Sequence, residues 1–172
     1  MIHRGIILVL LGALYFGALP GIAIGQEKAT SQEVIAKVRE AAAALSKNSD
    51  VAQFNKRPSP WVWADTYIFV LDCDKRVTAA HPMRPDLIST PLASVKDVKA
   101  KNLYPNPAHF CEDARKPSGV WIEYSWVKPG DTAPSRKISF AMGAAGTPYV
   151  VSAGIFDDAA TIADLSKLST TQ

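Results

Sequence analysis

The chain has 172 residues, of which 48% are hydrophobic and 20% charged, and 19 Lys and Arg against 16 Asp and Glu give a net charge of +3. This length and composition suit one globular domain with a substantial core, and they exclude a fibrous protein, a disordered tail and a low-complexity scaffold. The basic residues are scattered rather than clustered on one segment, which argues against nucleic acid as a partner.

Residues 1–25 have the layout of a secretory signal peptide. A short basic start is followed by an apolar stretch from Gly5 to Leu19 and then by a Pro-Gly pair. Ala23 and Gly25 suit the two small-residue positions before a cleavage site, so we expect cleavage before Gln26 and a periplasmic or secreted mature chain. The alternative is an uncleaved membrane anchor, because the segment is about long enough to span a bilayer.

Export also affects the interpretation of the two cysteines. Cys73 and Cys111 lie 38 positions apart, which matches neither a CxxC motif nor the usual spacing of zinc ligands. In an oxidising compartment such a pair is more often a disulfide, so we expect these two residues to be bonded. The alternative is a reactive thiol.

The mature chain begins with a predicted amphipathic helix over residues 32–47. Ser31 is the expected N-cap, and apolar residues recur behind it at helical spacing, which gives one hydrophobic stripe. The polar run from Asn48 to Asp50 is expected to end the helix.

The clearest predicted strand covers residues 61–72 and has two different faces. Small and branched residues occupy the even positions, as expected of a face packed on a helix. The odd positions carry aromatic rings, including Trp63 and Tyr67, together with the carboxylate of Asp65. Aromatic rings with polar tips beside an acid are typical of a ligand-facing wall, and a second packed layer with satisfied polar groups is the alternative.

The order of the remaining predicted elements favours an α+β fold. After the first strand we expect a hairpin partner, a mixed region that ends in a helix, three further strands, and a closing helix capped by Asp157 and Asp158. These elements cover, in chain order, residues 76–81, 108–116, 120–127, 135–142, 147–156 and 159–168. This order predicts one antiparallel sheet with helices on one side.

The familiar sequence motifs of catalysis are absent. The chain has no GxSxG, HExxH, Walker or GxGxxG motif, and the spacing of His81 and His109 offers no pair of metal ligands on one helix. We therefore expect no enzyme activity, no cofactor and no metal site. An alternative is a hydrolase or lyase that uses Asp65, Glu123 and His81.

A set of cations and aromatic rings stands out instead. His81 and Arg84 follow the predicted hairpin, and a pocket with fixed cations and aromatic walls suits a small carboxylate or a similar anionic metabolite. Strand alternation lets only one of Arg136 and Lys137 face inward, and we choose Lys137 because Arg136 shares its face with large apolar residues. The candidate ligand-binding residues are Trp63, Tyr67, His81, Arg84, Trp121, Tyr124 and Lys137.

Five fragments of the sequence, taken in order, resemble the single Cache domain of bacterial sensors. They are PWVW leading to YIFVLD (60–72), AHP (80–82), GVWIEYSW (119–126), KISF (137–140) and GIFDD (154–158). The resemblance covers about residues 30–168 and implies one domain over residues 26–172. It also implies a PAS-like antiparallel β-sheet, a long N-terminal helix packed on it, and a pocket for small extracellular ligands, commonly short organic acids.

The resemblance implies roles for single residues as well. It places His81 at the rim or wall of the pocket, and it places Tyr124 and Lys137 on strands that line the cavity. Phe140 and Phe156 depart from the family pattern, because each stands where the family often has an aromatic residue with a hydroxyl group.

Family members usually continue into a membrane helix and a signalling module, whereas this chain ends at Gln172. We therefore expect a free-standing Cache protein that acts with a separate partner, such as a membrane sensor kinase or a chemoreceptor. A homodimer through the N-terminal helix is left open. The alternative function is a structural or interaction module of the cell envelope whose pocket is filled by side chains.

Overall fold

The structure of the protein is a computed structural model that describes residues 27–171. The predicted signal peptide and the expected cleavage site before Gln26 lie outside the described residues. Within the described range, no helix is both long enough and apolar enough to cross a bilayer.

The described residues form an α+β fold, as the sequence predicts. The helices are α1 (Ser31–Asn48), α2 (Pro107–Ala114) and α3 (Ile162–Thr171). The strands are β1 (Val62–Trp63), β2 (Thr66–Tyr67), β3 (Phe69–Asp72), β4 (Val77–Ala80), β5 (Val120–Val127), β6 (Pro134–Gly143) and β7 (Tyr149–Ile155). Strands β3 to β7 make one antiparallel sheet in the order β4-β3-β7-β6-β5, and β1 and β2 make a separate hairpin.

Helix α1 is capped by Thr30 rather than by Ser31. The Thr30 hydroxyl oxygen accepts a hydrogen bond from the Glu33 amide, and the Glu33 carboxylate accepts one from the Thr30 amide at 2.8 Å. This reciprocal pair is a capping box, which satisfies two amide groups and so places the start of the helix at Ser31. The buried stripe of α1 packs against β6 and β7 and consists of Val34, Ile35, Val38, Ala41, Ala42 and Leu45.

The prediction of one strand over residues 61–72 is wrong, because the chain turns in its middle. Ala64 has a φ of 43°, a left-handed conformation that ends the pleat, and β1 and β2 pair across the turn. The buried carboxylate of Asp65 accepts a hydrogen bond from the Ala29 amide at 2.9 Å, which ties the turn to the chain just before α1.

The turn sends the aromatic residues of this segment to different layers of the fold. Trp61 and Trp63 pack with the core beneath α1 and α3. Tyr67, Phe69 and Leu71 lie in a second core on the other face of the sheet. Alternation along one strand would have placed all five on the same side.

Helices cover both faces of the sheet rather than one. Helices α1 and α3 pack on the first core, whereas α2 and the long connection after β4 pack on the second. The predicted disulfide between Cys73 and Cys111 is confirmed, and it attaches α2 to the end of β3. Closing a loop of this length stabilises a fold by about 4 kcal/mol on the chain-entropy account, so the bond helps to hold the cover of the second face in place.

The closing helix begins later than the sequence predicts. Thr161 caps α3 by accepting a hydrogen bond from the Asp164 amide at 3.2 Å. Asp157 accepts hydrogen bonds from the amides of Ala159 and Ala160, and these bonds form a turn that precedes the helix. An acidic side chain followed by small residues suits either role, so the sequence pattern alone does not separate them.

Candidate functional site

The face of the sheet opposite α1 encloses a small, mostly aromatic hollow. Its wall includes Phe69, His81, Leu87, Tyr104, Tyr124 and Trp126. The hollow has a volume of about 10 Å³, which is room for about one water molecule. Side chains therefore fill most of the space between the sheet and its cover.

Lys137 extends from β6 into the same core. Its side chain is fully buried, and its Nζ atom makes no hydrogen bond to any described residue. Aromatic rings surround the atom instead: the ring centres of Tyr67, Phe156 and Phe69 lie 4.2, 5.3 and 5.5 Å from Nζ. The electron-rich faces of these rings attract a cation, but they do not replace a hydrogen-bond acceptor.

Gly154 on β7 makes room for the lysine stem. It pairs with Ser139 of β6, and a Cβ atom at position 154 would lie 2.8 Å from Lys137 Cε. The same Cβ atom would lie 2.7 Å from the Ile138 carbonyl oxygen and closer still to Ser139 Oγ. Real Cβ atoms do not approach other atoms so closely, so a larger residue at this position would clash with the β6 backbone as well as with these two side chains.

Burial controls the charge of Lys137. It lowers the pKa of the amine from 10.5 to about 7, with Asp65 acting in the opposite direction. Asp65 is not a direct partner, because its carboxylate accepts the Ala29 amide and lies 3.9 Å from Lys128 Nζ. The amine of Lys137 is therefore close to the balance between its charged and neutral forms at neutral pH.

His81 is a neutral hydrogen-bonding group in this site. Its Nδ1 atom accepts a hydrogen bond from the Arg84 amide at 2.9 Å, so its proton is on Nε2. The ring lies among those of Tyr67, Phe69 and Trp126, with centre-to-centre distances of 5.0, 5.6 and 6.0 Å. Burial, together with the charges of Lys137 and Arg84, lowers the pKa of His81 to about 3.

Two tyrosines complete the polar groups of the site. Tyr67 Oη accepts a hydrogen bond from Trp126 Nε1 at 2.9 Å, and Tyr124 Oη is hydrogen-bonded to Ser139 Oγ at 2.8 Å. Burial raises the pKa of both phenols well above the usual value, so both stay protonated in neutral solution.

The structure brings four of the candidate residues together and leaves one at the rim. Tyr67, His81, Tyr124 and Lys137 lie on the hollow side of the sheet. Arg84 is exposed beside them, with its guanidinium 5.7 Å from the Trp126 ring centre and hydrogen-bonded to the Asp86 carboxylate at 2.6 Å.

Two of the candidate residues lie elsewhere. Trp121 lies on the opposite face of the sheet from Tyr124, because the two residues are three positions apart on β5. It packs on Phe140 beneath the helices, and its Nε1 atom donates a hydrogen bond to Ser169 Oγ of α3. Trp63 packs against the same core, because the turn at Ala64 separates it from the strand that carries the hollow.

Several residues that line the hollow or contact Lys137 are not among the seven candidate residues. Trp126 shares its side of β5 with Tyr124, so strand alternation was a signal for it. Leu87 and Tyr104 come from the long connection after β4, where no periodic pattern identifies an inward side. Phe156 follows β7, and its ring centre lies 5.3 Å from Lys137 Nζ.

The residues of the alternative catalytic hypothesis are not assembled into one site. Glu123 is hydrogen-bonded to Arg136 at 2.7 Å on the side of β5 that Trp121 occupies, and Asp65 is held by the Ala29 amide. Across residues 27–171, no group of three or more His, Cys, Asp or Glu side chains is placed to hold a metal ion.

Comparisons with known proteins agree with this architecture. A family model, dCache_2, described as a Cache domain, matches residues 62–161. No curated protein matches the sequence.

Three of the solved structures that match the chain are sensor or chemotaxis proteins. A periplasmic sensor domain of a chemotaxis protein is 23% identical, with a TM-score of 0.50 over 74% of this chain and 90% of that chain. A Cache chemosensory domain, described for its carboxylic acid recognition, is 16% identical, with a TM-score of 0.53 over 74% and 88%. A methyl-accepting chemotaxis protein from Vibrio parahaemolyticus is 19% identical, with a TM-score of 0.48 over 72% and 81%. The first two likenesses show the fold, which is that of Cache and PAS-like sensor domains.

Proposed function

The chain belongs to the Cache domain family, and we propose that it is an exported sensor domain that binds a small carboxylate or a similar anionic metabolite beside Lys137. Cache domains are sensor and ligand-binding modules, and one protein of similar fold recognises a carboxylic acid. We further propose that the domain has no catalytic activity and that it acts through a separate membrane receptor or sensor kinase.

The buried amine of Lys137 is the observation that carries this proposal. A buried polar group without a partner costs about 1–3 kcal/mol, and such groups are rare unless a function retains them. A carboxylate would supply the missing acceptor and form a charge-assisted hydrogen bond. Beside it, His81 Nε2 carries a proton and could donate a second hydrogen bond to the ligand.

The small size of the hollow means that binding must widen it. The cover near Leu87 belongs to a short turn at residues 85–87, which contains Asp86 of the exposed Arg84–Asp86 ion pair. Exposed ion pairs of this kind contribute little to stability, so this pair does little to hold the turn in place. We propose that a bound ligand displaces it and that the partner detects the displaced form.

Export and domain organisation are parts of the same proposal. Cleavage before Gln26 would release residues 26–172 as one Cache domain of the single type. The single five-stranded sheet of the described residues supports that organisation. The similarity to a periplasmic sensor domain supports the location.

Thermal unfolding with a panel of carboxylates tests the binding proposal. Acetate, propionate, lactate and pyruvate would be compared at millimolar concentrations, with Lys137→Met as the variant and Lys167→Met as its control. Lys167 is exposed on α3, far from the hollow in the fold. At a hundred times its dissociation constant a ligand stabilises a protein by about 2.7 kcal/mol, which raises the melting temperature by several degrees.

We expect at least one of these acids to stabilise the wild type and the Lys167→Met variant but not the Lys137→Met variant. No stabilisation by any of the four would contradict the proposal. Equal stabilisation of the Lys137→Met variant would place the binding site elsewhere.

A structural module of the cell envelope is the second candidate, and the small volume of the hollow favours it. On this hypothesis the outer surface binds a partner and the core is inert. Capture of an envelope partner that is unchanged by Lys137→Met, in a protein that none of the acids stabilises, would support the second candidate.

A further inference from the structure

The groups that share the core on the hollow side of the sheet with Lys137 are neutral at neutral pH. Strands β2 and β5 contribute buried tyrosines whose pKa is raised, and the segment after β4 contributes an imidazole whose pKa is lowered to about 3. The cover contributes a third buried tyrosine, and α2 contributes an aromatic ring and a disulfide-bonded cysteine. These residues are Tyr67, Tyr124, His81, Tyr104, Phe110 and Cys111.

The charged groups nearest to the lysine already have partners. Asp65 Oδ1 accepts the Ala29 amide, and Oδ2 lies 3.9 Å from Lys128 Nζ. Arg84 is bonded to Asp86 at the exposed rim. The ligand-free core therefore offers the amine no hydrogen-bonded anion. Asp65 favours the charged form only from a distance, and burial, which favours the neutral amine, is the larger effect.

We propose that the domain takes up a proton together with its anionic ligand and so responds more strongly to that ligand in acidic than in alkaline surroundings. The inference rests on the proposed function, because the ligand is the anion that the core lacks. The lone pair of Nζ takes a proton from solvent, one N–H bond forms, and the resulting ammonium pairs with the ligand carboxylate. The bond that held this proton in a hydronium ion or a buffer acid breaks, no other bond changes, and the buried pair is neutral overall.

The pH range of the effect follows from the surrounding groups. Burial lowers the pKa of the Lys137 amine to about 7, and a carboxylate beside it would raise this pKa again. Above that value, affinity should fall by about tenfold for each pH unit, because each binding event then requires one proton. His81 and the buried tyrosines titrate outside this range, since their pKa values are shifted away from it.

Isothermal titration of the purified chain with acetate, propionate and pyruvate tests the inference. Each titration would be run at about pH 6 and about pH 8.5, at each pH in two buffers that are effective there, contain no carboxylate or phosphate, and differ in ionisation enthalpy. At the higher pH we expect affinity to be weaker by roughly thirtyfold and about one proton to be taken up per ligand. At the lower pH the measured enthalpy should depend little on the buffer.

Lys137→Arg is the matched variant, because a guanidinium keeps its charge over this pH range. It should bind with an affinity that does not change with pH. The wild-type titrations decide the question even if this variant does not fold.

The possible results separate the two proposals. Equal affinity at both pH values, with no buffer-dependent enthalpy, would overturn proton uptake while leaving carboxylate binding intact. Failure of these three acids and of lactate to bind at either pH would overturn both.

Discussion

The Lys137→Met substitution should stabilise the ligand-free domain, although it removes a residue of the candidate site. Methionine keeps an unbranched, flexible side chain that can fill the space of the lysine stem, and it carries no group that needs a hydrogen bond. Because Lys137 Nζ is buried without a partner, its removal relieves a desolvation cost instead of breaking a contact.

The size of the effect can be worked out from burial and charge. An unsatisfied buried polar group costs about 1–3 kcal/mol, which corresponds to roughly 3–10 °C in the melting temperature of a domain of this size. The pKa of Lys137 is about 7 in the folded state, against 10.5 as the ordinary value. Between these two values the unfolded chain binds more protons, so the stability of the wild type rises with pH by up to about 1.4 kcal/mol per unit.

The variant has no amine at this position and should not show that rise. The advantage of Lys137→Met over the wild type should therefore be largest below about pH 7 and shrink towards about pH 9. Urea unfolding followed by circular dichroism at several pH values measures both curves, and the exposed Lys167→Met variant should follow the wild type closely. A Lys137→Met variant that is less stable than the wild type throughout this range would show that the buried amine does not destabilise the ligand-free fold.

Three further predictions concern stability. His81→Asn should reduce the loss of stability in acid, because the pKa of His81 is about 3 in the folded state against the ordinary 6.5, and the unfolded chain binds more protons between these values. Urea midpoints at about pH 4.5 and about pH 7 test this prediction. A loss of stability in acid equal to that of the wild type would contradict it. Reducing the Cys73–Cys111 disulfide should lower the unfolding free energy by about 2–4 kcal/mol, and unchanged urea midpoints with and without reductant would oppose the prediction. Gly154→Ala should cost about 1–3 kcal/mol and weaken ligand binding, because the added methyl would clash with Ser139 Oγ, the Ile138 carbonyl oxygen and Lys137 Cε. Denaturation and titration check the two effects, and wild-type values in both would count against the prediction.

Periodic segments of the sequence predicted their structure well. Strand β5 occupies residues 120–127 as expected, and α1 extends the predicted 32–47 helix by one residue at each end. The structure also places Lys137 inward, as strand alternation required of one residue in the Arg136–Lys137 pair. Regular alternation is informative here because β5, β6 and β7 run as long, uninterrupted strands.

The rest of the candidate site is formed by segments in which inward-facing residues follow no regular spacing in the sequence. A single left-handed residue, Ala64, separates Trp63 from Tyr67, and alanine gives no sequence signal for such a turn. The cover of the hollow comes from the proline-rich connection between β4 and α2, where tertiary packing rather than local pattern decides which side chains point inward. The volume of the hollow depends on this packing. The sequence could therefore predict aromatic rings in the wall of the hollow, but not how little space they leave between them.

The most direct measurement is a crystal structure of the domain grown with saturating acetate at about pH 6, where the lysine amine is mostly protonated. The account predicts a carboxylate at about 3 Å from Lys137 Nζ, in a hollow wider than the present 10 Å³ and with the turn at residues 85–87 displaced. An unchanged hollow filled by side chains, with Nζ still unpartnered in crystals whose acetate lies elsewhere, would contradict it.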